Sequence, residues 1–232
     1  MPKRDKLDCV VVMPTLNERE SIEYIIDQIR DALKGYRYEI VVVDGRSVDG
    51  TDVKAREKGC TVVYQSKRGY GDALRTGFTY VKSFLPARAV VMMDADSTYD
   101  PRDIPRLITP VLKGEADMVV GNRFHMMDKD AMNLVNKLGN KLISAVSYLL
   151  LKTRIKDTQS GFRAFRIELL DRLKLRYDGI QVALELIVDA QRSGAKIIDV
   201  PVFYRRRRGR SKLNPLKDGI KIVATILKFR IR

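Results

Sequence analysis

An α/β fold with a mostly parallel central sheet flanked by helices follows from three features of this chain. Wholly apolar runs recur along its first half, among them Val10-Val11-Val12-Met13, Ile40-Val41-Val42-Val43 and Val90-Val91-Met92-Met93. Runs without polar alternation belong to strands buried on both faces, as in parallel sheets. Stretches of helical period lie between them, so the order is strand, helix, strand, helix. Each run ends abruptly in turn or acidic residues, and open α/β sheets bind their ligands at those carboxyl ends.

The first strand is predicted at Cys9–Met13, closed by Pro14. Asn17 with Glu20 three residues later predicts a capping-box start for a helix carried by Ile22, Ile25, Ile26, Ile29 and Leu33 and ended by Gly35. The second strand, Glu39–Val43, stops at Asp44-Gly45, and a polar helix begins after Asp49-Gly50-Thr51. Further strands are predicted at Cys60–Tyr64, Ala89–Met93 and Asp117–Val120, the last ending at Gly121-Asn122-Arg123. Beyond about Asp130 the pattern changes. Leu134, Leu138, Leu142, Val146 and Leu149 predict a long amphipathic helix. Asp157 to Phe162 reads as a polar loop, Val182 to Ala190 as a helix, and Ile197 to Tyr204 as a strand whose Pro201 marks an edge. An arginine run and a last helix follow, with no internal repeat.

The 232 residues suffice for one α/β domain with a sizeable core. Cys9 and Cys60 both fall in strand-like runs, as buried thiols of a reducing compartment. His125 is the only histidine, which excludes a His-rich zinc site. No signal segment is expected ahead of the first strand, and no run reaches the roughly 18 apolar residues that span a bilayer. The net charge of +15, from 44 Lys+Arg against 29 Asp+Glu, predicts an anionic partner: nucleic acid, an anionic membrane or a phosphorylated substrate.

Asp94 and Asp96 stand one residue apart where the fourth strand ends. Two carboxylates so placed repel each other without a cation between them, and Mg²⁺ takes one or two carboxylates plus phosphate oxygens; a pair of solvated loop aspartates is the alternative. Asp44, followed by Ser47, Asp49 and Thr51, can hydrogen-bond a base or ribose, or form turn chemistry alone. Gly69 and Gly71, in Arg68-Gly69-Tyr70-Gly71-Asp72, allow a backbone to approach phosphate, but neither a dinucleotide fingerprint nor a P-loop is present. Arg123 offers a bidentate fork for phosphate.

Taken together, these pieces resemble glycosyltransferase family 2, the GT-A fold, and within it the dolichyl-phosphate hexose synthases (the dolichol-phosphate mannose synthase group). The resemblance rests on Met13 to Glu18, Val43-Asp44 through Asp49-Gly50-Thr51, Arg68 to Ala73, Asp94-Ala95-Asp96, Gly121 to Phe124, Asp157 to Arg163, and Gly209 to Leu213, occurring in that order. It implies a catalytic domain over 1–212 and a basic amphipathic membrane-interface helix over 213–232. It implies that Pro14, Leu16, Glu18, Asp44, Asp49, Arg68 and Gly71 line the nucleotide-sugar site with Ala95. Asp94 and Asp96 hold Mg²⁺ or Mn²⁺ and the donor diphosphate. Arg123, Lys137, Gln159 and Ser160 surround the acceptor phosphate, and Arg206 and Lys212, with Ser211, belong to a mobile basic loop that closes over the donor.

The implied reaction is inverting transfer of a hexose, of mannose or glucose type, from a GDP- or UDP-linked sugar to dolichyl or polyprenyl phosphate, feeding protein or surface glycosylation. The acceptor is already anionic, so no strong general base is required. Two departures leave base and sugar open: Gly45 and Arg46 follow Asp44 where the family has a second aspartate, and Thr98 stands where many mannose synthases have Gln. No C-terminal membrane spans of the kind some relatives carry are expected. Leu216, Ile220, Val223 and Leu227, widened by Ile222, Ile226 and Phe229, form an apolar stripe among Lys217, Lys221, Lys228, Arg230 and Arg232. Such a helix lies in a membrane interface, which predicts an enzyme bound peripherally to the cytoplasmic face of a membrane. The helix from Leu134 to Leu151 is a second candidate surface, or else core. The alternatives are the same fold acting on a glycan or small molecule, and a basic nucleic-acid-binding protein. The latter is disfavoured because the arginine run has little aromatic interleaving, so no nucleic-acid partner is expected.

Overall fold

The computed structural model describes residues 6–207 and 215–231. Its strands are β1 (Leu7–Thr15), β2 (Tyr38–Asp44), β3 (Thr61–Tyr64), β4 (Ala87–Met92), β5 (Met118–Met127), β6 (Arg163–Arg166) and β7 (Ile197–Tyr204). Its helices are α1 (Arg19–Ala32), α2 (Thr51–Glu57), α3 (Tyr70–Phe84), α4 (Ile104–Leu112), α5 (Leu134–Leu151), α6 (Val182–Arg192) and α7 (Pro215–Ile231). The strands form one sheet in the order β3-β2-β1-β4-β6-β5-β7.

The first half of the sheet is parallel throughout, with β1 between β2 and β4 and β3 at the edge. Its apolar runs serve two layers because strand side chains alternate. Cys9, Val11 and Met13 pack with Ile22 and Ile26 of α1 and Leu107 and Ile108 of α4. Val10 and Val12 pack on the other face with Leu74 and Phe78 of α3 and Leu186 of α6. Val10 to Met13 are wholly buried, and each such side chain stabilises by about 1.5–3 kcal/mol. At Gly77 a Cβ would lie 2.5 Å from Val12 Cγ1, so glycine lets α3 rest directly on the sheet. Both cysteines are free and buried.

Several boundaries differ from the sequence reading. β1 runs through Pro14 to Thr15: pairing with β4 ends at Val12, so the missing N–H falls where the ladder is one-sided. Glu18, not Asn17, is the N-cap of α1, without a side-chain bond. Asn17 takes φ 52° and its Oδ1 accepts from Val48 N–H, tying two loops together instead of capping. β5 continues past Gly121 to Met127 because β7 pairs alongside it, with an irregularity between Asn122 and Met126. β7 lies at the sheet edge, as Pro201 predicted.

The strand that escaped prediction is β6. Its sequence, Arg-Ala-Phe-Arg, is too short and too charged at its ends to read as an apolar run. It lies antiparallel to both β4 and β5. That direction sets Arg163 beside Met92, at the carboxyl end of β4. The loop leading into β6 therefore arrives next to Asp94 and Asp96. Outside the sheet, Ile143 of α5, Leu184 and Val188 of α6 and Ile222, Ile226 and Phe229 of α7 form a third apolar cluster.

Candidate active site

The end of β4 carries the centre of the site. Asp94 Oδ1 accepts from the Tyr70 hydroxyl at 2.8 Å. Its Oδ2 faces Gly161, where a Cβ would fall 2.4 Å from it, so only glycine leaves room for the carboxylate. Asp96 Oδ1 accepts from the Thr98 backbone N–H at 3.1 Å and from the Thr98 hydroxyl at 2.6 Å. Ser97 between them takes φ 64°. The Ser21 hydroxyl donates to the Ala95 carbonyl at 2.7 Å, fixing this turn to α1. Burial, and then the charge of Asp96, push the Asp94 carboxyl up to about 7.

The donor set fits a divalent ion completed by its substrate. Among the described residues no three His, Cys, Asp or Glu side chains form a metal cage. Two carboxylates one residue apart are present, and Ser97 on the same turn has a buried hydroxyl without a hydrogen-bond partner. One or two carboxylates suit Mg²⁺ or Mn²⁺ whose remaining positions go to water and diphosphate.

Positive charge reaches the aspartates from the segment after β7. Arg205 N–H donates to the Thr98 carbonyl at 2.7 Å, Tyr99 bridges to Tyr204, and the Arg205 guanidinium meets Asp100. Arg207 Nη1 lies 2.8 Å from Asp96 Oδ2 and Nη2 lies 2.8 Å from Glu18 Oε1. The arginine at the site is thus Arg207; Arg206, expected there, is exposed. Ser211 and Lys212 lie outside the described residues.

The nucleotide-side residues are gathered by loops stitched together with polar bonds. Asp44 is buried and accepts from Ser47 N–H and Oγ at 2.8 and 2.6 Å. Asp49 accepts from Thr51 and from Arg19 N–H, and Glu18 N–H donates to the Thr51 hydroxyl. Pro14 is half-buried. Leu16 is exposed, and so is Val48, an aliphatic tip the sequence reading passed over. Arg68 is exposed ahead of α3. Gly71 is a correction: its N–H donates to the Asp178 carbonyl at 2.8 Å, and a Cβ would collide with the Tyr177 carbonyl. This glycine permits close packing of α3 on backbone, not approach of a phosphate.

On the far side, Arg123 also differs from expectation. Its Nε and Nη2 donate to the two oxygens of Asp157 at 2.7 and 2.8 Å, deep in the protein. The fork expected to grip phosphate is filled by that carboxylate, which offsets the cost of burying the guanidinium; Nη1 is the nitrogen left outside the pair. Arg163, fully buried, donates to the carbonyls of Ser160, Thr158 and Ala183 and holds the loop before β6. Burial lowers its pKa to about 10. Gln159 and Ser160 sit in that loop, and Ser144 of α5 bonds to Thr158 behind it. Lys137, on the first turns of α5, makes no polar contact with these groups among the described residues. Glu185 is wholly buried and paired with Arg176 at 2.7 Å, away from any solvent-facing helix surface.

A model of glycosyl transferase family 2 matches residues 10–174, a span that takes in the acidic turn and its neighbours. The chain belongs to glycosyl transferase family 2. This glycosyltransferase is 35% identical to glycosyltransferase AglJ of Haloferax volcanii, over 94% of this chain and 70% of that protein. It is 33% identical to the dolichyl-phosphate hexose transferase of the same organism, over 95% of this chain and 93% of that one. Glucosyl-3-phosphoglycerate synthase from Mycobacterium tuberculosis, solved with Mn²⁺, UDP and glucosyl-3-phosphoglycerate, superposes with a TM-score of 0.74 at 26% identity, covering 96% of this chain and 80% of that chain. The fold is GT-A.

Two helices of the family 2 enzyme turn apolar rows outward. On α5 these are Leu134, Leu138, Leu142 and Leu149, with Leu142 65% exposed. On α7 they are Ile220, Val223, Leu227 and Ile231. The broad stripe expected on α7 is thereby split: Ile222, Ile226 and Phe229 face inward, in the third cluster. No helix among the described residues is long and apolar enough to cross a membrane.

Proposed function

We propose that this glycosyltransferase moves a hexose from a GDP- or UDP-linked sugar to dolichyl or polyprenyl phosphate held at a membrane surface, with Mg²⁺ or Mn²⁺ between Asp94, Asp96 and the donor diphosphate. The observation that carries the lipid acceptor is the two-sidedness of α5. Its inner face holds the loop of Gln159 and Ser160 through Ser144, and its outer face presents a row of leucines. A substrate with a phosphate head and a hydrocarbon tail fits both faces. Lys221, Lys228 and Arg230 flank the matching row on α7, and each basic residue near an anionic surface contributes about 1 kcal/mol. On this reading the protein binds peripherally, on the cytoplasmic face, and the helix over 213–232 serves as an interface element of the domain over 1–212.

The steps belong to residues of the chain. Leu16 and Val48 flank the base, while Asp44 and Asp49 meet base or ribose through lone pairs outside their loop bonds, with Pro14, Glu18 and Arg68 at the rim. When bound, the divalent ion neutralises the leaving diphosphate. Asp94 and Asp96 would hold that ion, and Arg207 approaches the diphosphate once released from Asp96. Arg123 Nη1 and Lys137 meet the acceptor phosphate, while Gln159 and Ser160 fix the sugar and acceptor oxygens. Attack from the side opposite the leaving group inverts the anomeric carbon. A second reading, a small phosphorylated acceptor, is favoured by one observation: the superposed synthase was solved with such a product.

The test is a transfer assay with GDP- and UDP-hexoses, Mg²⁺ or Mn²⁺, and either a short polyprenyl phosphate in anionic vesicles or 3-phosphoglycerate. Metal-dependent appearance of a lipid-linked hexose is expected. Transfer only to the soluble acceptor replaces the lipid reading with the second one.

A further inference from the structure

The aspartate pair already has a positive charge on it, and that charge comes from the chain itself. Thr98 engages Asp96 Oδ1 through two hydrogen bonds, so Oδ2 is the oxygen its own loop leaves open. Arg207 Nη1 takes that oxygen and Nη2 takes Glu18 Oε1, each at 2.8 Å. We propose that Arg207 is a resident counter-ion that occupies the cation's place on Asp96, tethered there by Glu18, and that a divalent ion displaces it readily when a nucleoside diphosphate arrives to receive the freed guanidinium. This rests on the metal-assisted donor binding proposed above and adds to it a coupling between metal and nucleotide.

Three observations support it. Arg207 Nε is buried without a hydrogen-bond partner, so the guanidinium is only partly satisfied where it stands, and buried polar groups are rarely left so. The backbone just before it is anchored by Arg205 N–H on the Thr98 carbonyl and by the Tyr99–Tyr204 bridge. The side chain therefore stays within reach of the site after leaving Asp96. Finally, the exchange is balanced only with the nucleotide present. A bare cation taking Asp96 Oδ2 leaves Arg207 Nη1 without its carboxylate, whereas a diphosphate offers the planar fork oxygens it matches well. Because such coupling is reciprocal, metal must tighten nucleotide by the same factor that nucleotide tightens metal.

Mn²⁺ binding to the full chain, followed by the electron paramagnetic resonance signal of free Mn²⁺ with and without GDP or UDP and corrected for Mn²⁺–nucleotide complexes, tests this without any turnover. In the wild type, nucleotide is expected to tighten Mn²⁺ at least tenfold. Arg207→Met is expected to bind Mn²⁺ alone at least tenfold tighter than wild type and to lose most of the coupling. A merely structural arginine predicts equal or weaker Mn²⁺ binding in the variant, and that result overturns the assignment. Glu18→Gln removes one anchor while leaving Asp96 and Arg207 in place, so it must also strengthen Mn²⁺ binding without nucleotide. If it does not, the assignment fails even where Arg207→Met does not fold. Mn²⁺–nucleotide binding that neither variant alters overturns the counter-ion alone. No Mn²⁺ binding in any state overturns the metal site together with it.

Discussion

The two halves of the sheet treat charge in opposite ways. In the β3-β2-β1-β4 half, the carboxylates at or after the strand ends rest on neutral groups: Asp44 on Ser47, Asp49 on Thr51, Asp94 on Tyr70 of α3, Asp96 on Thr98. In the β6-β5-β7 half and its helices, buried charges face each other directly, as Arg123 does Asp157 and Arg176 does Glu185. The first half keeps negative charge that its own loops leave open and that the chain meets only from outside, through Arg207 after β7. The second has neutralised itself and is fixed. Ligand chemistry concentrates where neutralisation is incomplete, and rigidity where it is complete.

The largest expected effect breaks the neutralised half. Asp157→Ala strands Arg123 in the interior and should destabilise the protein by about 3–5 kcal/mol, read from denaturant unfolding; a loss below about 1 kcal/mol would show that the pair is not structural. Asp96→Asn should do the reverse, leaving the unfolding midpoint near that of wild type while transfer falls by about 10²-fold or more. Wild-type turnover with the same metal dependence would remove Asp96 from the site. The outward rows come next. Burying a leucine is worth about 1.5–3 kcal/mol, so Leu138→Glu with Leu142→Glu should lower co-sedimentation with anionic vesicles by at least about tenfold. Unchanged sedimentation would return α5 to a role unrelated to lipid.

A further effect is on pH dependence. The folded Asp94 carboxyl, at about 7, lies above its unfolded value of about 3.9. The ligand-free folded state therefore holds this proton more tightly than the unfolded chain does. Stability from this group is full below about pH 4, is lost as pH rises toward 7, and is level above it. Asp94→Asn should flatten that part of the stability profile, and an unchanged slope would show that burial and Asp96 do not govern this carboxyl.

The parallel half was legible because one physical rule, apolar on both faces, sets its strands, and because a carboxylate closing such a run is visible by eye. The antiparallel half was harder. β6 is four residues with arginines at both ends, and its pairing comes from tertiary position, not from periodicity. The Arg123–Asp157 pair spans 34 residues of sequence, a separation no local pattern encodes. Arg207 was missed in favour of Arg206 because a run of four arginines carries no phase that tells one from the next. The apolar residues of α7 were read as one broad stripe, and packing against α5 and α6 divided them. Tyr70 lay within a recognised motif, but its hydroxyl matters only once α3 is set against the end of β4.

Arg163 has a consequence for anyone reshaping acceptor preference. Its three donors reach the carbonyls of Thr158 and Ser160, before β6, and of Ala183, in α6. A lysine has one nitrogen and cannot span three such points. Grafting the loop from another transferase thus means moving residues 157–163 as a cassette and keeping the α6 backbone in register to receive it. A graft that ends at Phe162 and brings a loop of different length will leave a cation in the interior without its acceptors, and it will fail as a fold before it can be judged as a catalyst.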